Sequence, residues 1–172
     1  MNHLWSPWRM EYILAKERKG CIFCRKRMEK GDKENLILHQ GQYAFVMMNK
    51  FPYNNGHLMV VPNRHCLDLV RLREEEFHEL SYLLKISTQV LKASLHPHGF
   101  NIGINLGMAG GAGEEHLHFH IVPRWSGDTN FMPVLTETKV VPEYLEKTYR
   151  KLQEAFTAIL KKKRGQKGGR KR

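Results

Sequence analysis

The sequence predicts an α+β domain: a five-stranded antiparallel sheet with a long crossover helix, an N-terminal arm and a C-terminal helix. Three observations carry this. Short apolar runs separated by turn residues recur at 36–48, 57–61, 100–106 and 116–122, as half-buried strands require. From Glu74 onward Phe77, Leu80, Leu84 and Leu91 keep helical spacing, and from Pro142 Tyr144, Leu145, Tyr149, Leu152, Phe156 and Leu160 do the same. A chain of 172 residues, 41% hydrophobic, supports one domain with its own core and leaves no room for a second.

Residues 1–35 read as an arm: Trp5, Pro7 and Trp8, a short helical segment, the pair Cys21 and Cys24, then a charged stretch. Leu36-Ile37-Leu38 and 43–48 form a hairpin, and Pro52-Tyr53-Asn54-Asn55-Gly56 is turn chemistry leading into the third strand. The crossover helix opens on Glu74-Glu75-Glu76, favourable at a helix N-terminus, and should stop before Pro97 and Gly99. Strands at 100–106 and 116–122 follow, joined by the glycine-rich loop Gly107–Gly113.

Charge and cysteine usage narrow the function. Of the net +11, eight positive charges and no negative ones fall in residues 161–172, which leaves 20 basic against 17 acidic residues in 1–160. The domain therefore covers 1–160. The last twelve residues read as a disordered, solvated basic tail that would touch RNA, polyphosphate or acidic surfaces nonspecifically; no aromatic residue is interleaved for base stacking. No apolar run approaches the ~20 residues of a membrane span, which excludes a membrane partner and points to the cytoplasm. Three cysteines do not make a paired disulfide framework. Cys21-Ile22-Phe23-Cys24 reads either as half of a tetrahedral metal site or as two reduced thiols packing a hairpin base.

The chemistry concentrates in His116-Leu117-His118-Phe119-His120-Ile121-Val122. In a strand, side chains two apart share a face, so the three imidazoles line one side while Leu117, Phe119 and Ile121 pack on the other. Imidazole suits attack on phosphorus: with an ordinary pKa near 6.5, about half or more is neutral near pH 7. Backbone amides of the glycine loop can approach phosphate oxygens closely. His96-Pro97-His98-Gly99, by contrast, lies between a helix end and a strand start, where proline and glycine are punctuation.

This alternation resembles the histidine-triad family of nucleotide hydrolases and transferases, whose signature it matches at every position. Asn49, the strand Gly56–Pro62 with His57, His65, and Asn101–Asn105 also fall where that family has them, so the resemblance covers most of residues 4–150. Pro123–Phe131 and Leu4–Arg9 are similar to the bacterial diadenosine-tetraphosphate phosphorylase branch, beside the family's hydrolases. The resemblance implies a homodimer whose substrate is a nucleotide or dinucleoside polyphosphate, cleaved at the α-phosphorus through a nucleotidyl-histidine, by phosphorolysis or hydrolysis.

His118 would be the nucleophile, flanked by His116, with His120 donating to a phosphoryl or bridging oxygen. Asn105 would contact the α-phosphate region, Asn49 a ribose hydroxyl, Gly111 and Gly113 the phosphates, and His57 would brace the triad. Many relatives carry glutamine or serine three or four residues before the first histidine, where this chain has Ala112 and Gly113. The resemblance also completes a structural zinc site from Cys21, Cys24, His65 and His116, leaving no open coordination position. Two other readings fit the residues: a nucleic-acid-associated protein acting through its basic tail, and a non-catalytic adenine-nucleotide sensor.

Overall fold

The computed structural model describes residues 20–29, 31–128 and 143–168. In chain order these form α1 (Ile22–Met28), β1 (Ile37–Gln40), β2 (Ala44–Met48), β3 (Leu58–Pro62), α2 (Glu74–Leu95), β4 (Gly99–Ile104), β5 (Phe119–Arg124) and α3 (Leu145–Gly168). The five strands make one antiparallel sheet in the order β1-β2-β3-β5-β4, with β5 inserted between β3 and the edge strand β4. The α+β architecture is the expected one. The aromatic stretch Leu4–Arg9, the short helical segment after it, residues 129–131 and Pro142 lie outside the described residues.

Each sheet face has its own cover. Alternation along β2 sends Ala44, Val46 and Met48 to one side, where they pack with Leu58, Val60 and Ile121 against Leu80, Leu83, Ile86 and Val90 of α2 and Tyr149, Leu152 and Phe156 of α3. The intervening Phe45 and Met47 face the other side with Ile37, Met59 and Val61, under Phe23 of α1. Every residue of β2 and β3 is buried as a result, so these strands read as continuous apolar runs. The Tyr149 hydroxyl donates to the Ile37 carbonyl at 2.8 Å, fixing α3 on β1.

Local chemistry sets the ends of the elements. The Arg73 N–H donates to Glu76 Oε2 at 2.9 Å at the start of α2, and the helix stops at His96, whose φ of 49° is left-handed. His98 Nδ1 accepts the Ser126 N–H at 3.0 Å, so the His-Pro-His stretch serves as punctuation. Gly56, at φ +72°, permits the turn before His57; a Cβ there would lie 2.4 Å from Leu95 Cδ1.

Two features differ from expectation. The β5 ladder begins at Phe119, so only His120 of the triad lies within a strand. The main chain of 116–118 is engaged elsewhere: the Leu117 N–H donates to the Cys66 carbonyl at 2.6 Å and the His116 carbonyl accepts from His118. The basic stretch expected as a disordered tail is helical through Gly168. Once a helix is nucleated, lysine and arginine extend it at one hydrogen bond per residue, and Lys163 Nζ sits 5.7 Å from the Tyr82 ring of α2.

Candidate active site

An open cleft of about 1130 Å³ lies on the α1 side of the sheet, with His118 and His120 in its wall. Cross-strand register builds its floor. His120 pairs with Met59, Met59 with Met47, and Met47 with Ile37, so a row of polarizable thioethers leads away from the histidines beneath Ile22. Asn49, Asn105, Gly111 and Gly113 line the same cleft. Asn49 Oδ1 accepts the Phe51 N–H at 2.9 Å, which leaves its amide N–H₂ as donor. Asn105 Nδ2 lies 3.4 Å from the Gly111 carbonyl, across the mouth of the glycine loop.

The hydrogen bonds assign tautomers to His118, His57 and His120. His118 Nδ1–H donates to the His116 carbonyl at 2.7 Å, so its Nε2 carries the free lone pair. His57 Nδ1 accepts the Tyr53 N–H at 3.1 Å, so its proton resides on Nε2. That nitrogen donates to His120 Nδ1 at 2.9 Å, and the His120 proton is thereby placed on Nε2. His118 and His120 meet edge to face with ring centroids 4.7 Å apart. A bare nitrogen and an N–H donor are thus presented side by side, both held by partners behind them.

Charge balance reinforces this arrangement. Burial pushes the His120 pKa down to about 4, with His118 beside it adding to the effect, and burial lowers His118 as well against the opposing charge of Glu114. Both rings are neutral near pH 7. His57 is completely buried and does not line the cleft; its Nε2 reaches the site through His120. Tyr53, whose ring stacks on His57 at 4.9 Å, was not picked out from the sequence, because its main-chain N–H sets the tautomer and any residue there would supply one.

The third histidine faces away. His116 Nε2–H donates to the Pro62 carbonyl at 3.0 Å and turns Nδ1 toward Cys21 Sγ at 3.2 Å and Cys24 Sγ at 3.6 Å. His65 Nδ1 lies 3.6 Å from Cys24 Sγ, and the four donor atoms all fall within 4.8 Å of one another. Tetrahedral zinc with bonds of about 2.0–2.3 Å has ligand-to-ligand edges of about 3.3–3.8 Å, and two thiols with two imidazoles are a structural zinc set. Donor chemistry and spacing fit such an ion. Cys66, beside His65, points elsewhere and donates to the Asp68 carbonyl.

Cleft, sheet order and histidines define a known class. The HIT domain family matches residues 30–127, and the chain belongs to it. The curated AP-4-A phosphorylase of Mycobacterium tuberculosis is 38% identical over 161 residues, covering 88% of this chain and 83% of that protein. Among solved structures, a zinc-bound histidine triad family protein from Mycobacterium smegmatis superposes with a TM-score of 0.66 at 24% identity, covering 81% of this chain and 95% of the other. A hypothetical histidine triad nucleotide-binding protein from Sulfolobus tokodaii gives 0.61 at 25% identity, covering 79% and 89%. No helix among the described residues is long and apolar enough to cross a membrane.

Proposed function

We propose that this protein is a nucleotidyl-transferring enzyme that cleaves a dinucleoside polyphosphate, such as diadenosine tetraphosphate, at the α-phosphorus, with inorganic phosphate as the acceptor. The observation that carries the reading is the pairing of a bare His118 Nε2 with a His120 Nε2–H in one cleft. The similarity to a curated AP-4-A phosphorylase over 88% of the chain supports the substrate class and the acceptor. A cleft of about 1130 Å³ exceeds the upper end of common ligand pockets, roughly 1,000 Å³, and suits a substrate with two nucleosides.

The chemistry follows from the tautomers. His118 Nε2 attacks the α-phosphorus; the N–P bond forms as the bond to the bridging oxygen breaks. His120 Nε2–H donates to that oxygen and ATP leaves, while His118 Nδ1–H and the His116 carbonyl hold the cationic ring. Phosphate then attacks the adenylylated nitrogen's phosphorus, gives its proton to His120 and departs as ADP; water in its place would release AMP. Asn105 and the amides of Gly111 and Gly113 face the phosphates. Asn49 faces the ribose, and the Met59 and Met47 floor takes the base.

Cys21, Cys24, His65 and His116 would hold a structural zinc tying α1 to the residue two before the nucleophile. A thiolate set of this kind agrees with a reducing, cytoplasmic setting. Among the described residues the outer edge of β4 has no paired strand, and Ile102 on it is 49% exposed, which supports a homodimer joined along that edge. Purified protein incubated with diadenosine tetraphosphate and phosphate should yield ADP and ATP. AMP and ATP in both the presence and absence of phosphate would make it a hydrolase, and no products at all would remove the enzymatic reading.

A further inference from the structure

The segment Pro62–Cys66 carries more of the site than its one exposed histidine suggests. The Pro62 carbonyl fixes the His116 tautomer, His65 belongs to the thiol and imidazole cluster, and the Cys66 carbonyl holds the Leu117 N–H. Three successive contacts to the catalytic segment thus come from five residues, four of which lie beyond the end of β3 with no regular structure of their own. What holds them lies at Arg64. Its guanidinium donates from Nε to Glu76 Oε1 at 2.9 Å and from Nη2 to Glu76 Oε2 at 2.7 Å, and Nη2 also reaches the Arg71 carbonyl at 2.8 Å.

Glu76 is buried in the first turn of α2 and also caps it through the Arg73 N–H. Its carboxylate therefore makes three hydrogen bonds, and Arg64 holds its pKa down to about 2, so the pair stays ionised throughout the functional range. Neither residue lines the cleft. Asn63 ties the segment to the carbonyls of Gly41 and Gln42, and the Arg64 fork ties it to the crossover helix.

We infer that Arg64 and Glu76 are positioning residues for catalysis, anchoring Pro62–Cys66 to α2 so that His116 keeps the tautomer and place from which its carbonyl holds His118. The inference rests in part on the proposed reaction and zinc site, but its tautomer element does not. A fork-shaped, charge-assisted pair supplies the directional grip this needs, and lysine, a point charge, cannot span both carboxylate oxygens and the Arg71 carbonyl. The substitution E76Q would turn an amide N–H₂ toward one of the three donors.

The test compares R64K and E76Q with L80A, which destabilises the core face of α2 and removes none of the segment's hydrogen bonds. R64K and E76Q should each lower kcat for diadenosine tetraphosphate and the affinity for zinc by about 10- to 100-fold, the range expected when a partner behind a ligand is lost. KM should stay within about threefold. In ¹H–¹⁵N spectra of the full-length protein cleared of metal by a chelator, so that no ion on Nδ1 fixes the ring, His116 should lose its single Nε2–H pattern in both variants. L80A, with an equal or larger drop in Tm, should keep all three properties.

Equal losses of kcat and of the His116 pattern in L80A, or an unchanged pattern in R64K, would overturn the inference. Should E76Q not fold, R64K decides alone. Wild-type protein that binds no zinc would remove the metal site only, and wild-type protein that turns over no substrate would remove the proposed reaction only; the His116 pattern in R64K decides the positioning role in either case.

Discussion

Replacing His57 by phenylalanine isolates the relay that aims the His120 proton. The phenyl ring is larger than the imidazole, so no cavity opens at this fully buried position. Two polar groups lose their partner: the Tyr53 N–H, 3.1 Å from His57 Nδ1, and His120 Nδ1, 2.9 Å from His57 Nε2. An unsatisfied buried group costs about 1–3 kcal/mol, so the fold should lose about 2–4 kcal/mol, part of it relieved by water from the cleft. Catalysis should lose more than this implies, because a His120 free to carry its proton on Nδ1 presents a bare Nε2 to the leaving oxygen. Loss of a general acid is worth about 100- to 10,000-fold, and a tautomer released rather than abolished should cost about 10- to 100-fold in kcat. His57→Gln, whose amide N–H can still donate to His120, should recover part of the rate. Steady-state kcat and urea denaturation on the three proteins decide the matter. A His57→Phe enzyme retaining half the wild-type kcat, or a glutamine variant no better than phenylalanine, would refute the relay.

Other perturbations separate the parts of the site. His118→Asn should lower kcat at least ~1000-fold with nucleotide binding retained, as expected when the attacking group is removed; a tenth of wild-type activity would exclude His118 as nucleophile. Elemental analysis should find about one zinc per chain, and Cys24→Ala should lose both the metal and melting temperature, by less than the ~10 kcal/mol of a small zinc domain because this fold has its own core. The His120 pKa of about 4 means that the unfolded chain takes up a proton below about pH 6.5 while the folded one does not. Stability is therefore full above pH 6.5 and falls toward pH 4, by at most about 3 kcal/mol from this residue. The difference between urea midpoints at pH 7 and pH 5 should narrow in His120→Asn, the buried His116 and His118 keeping part of it, and an unchanged difference would contradict the assignment. Removing residues 161–172 should leave kcat unchanged and cost no more than about 1 kcal/mol, since the contact of Lys163 with Tyr82 is a cation–π pair at the surface; a severalfold drop in kcat at every salt concentration would place the tail in the site.

The strands, the crossover helix and its ends were legible because they depend on local signals: short apolar runs at 43–48 and 57–61 bounded by turn residues, the acidic turn at Glu74, and proline and glycine after Leu95. The spacing of Cys21 and Cys24 reads as half of a metal site, His65 and His116 came from family resemblance, and the fold brings all four together. Other features depend on contacts that periodicity does not encode. His116 and His118 look like strand residues, yet the Leu117 N–H is held by Cys66 and the ladder starts later. The end of α3 was misplaced because a basic run resembles a solvated tail unless Tyr82, far earlier in the chain, is known to lie beneath Lys163. The pairing of Arg64 with Glu76 and the Tyr53 N–H behind His57 are likewise invisible without coordinates.

The stereochemistry at the α-phosphorus tests nucleotidyl transfer through His118 most directly. With a substrate chiral at that phosphorus by sulfur substitution, two successive in-line displacements, first by His118 Nε2 and then by phosphate, should release ADP analogue with retained configuration. Inversion would mean a single direct displacement and would contradict a covalent histidine intermediate.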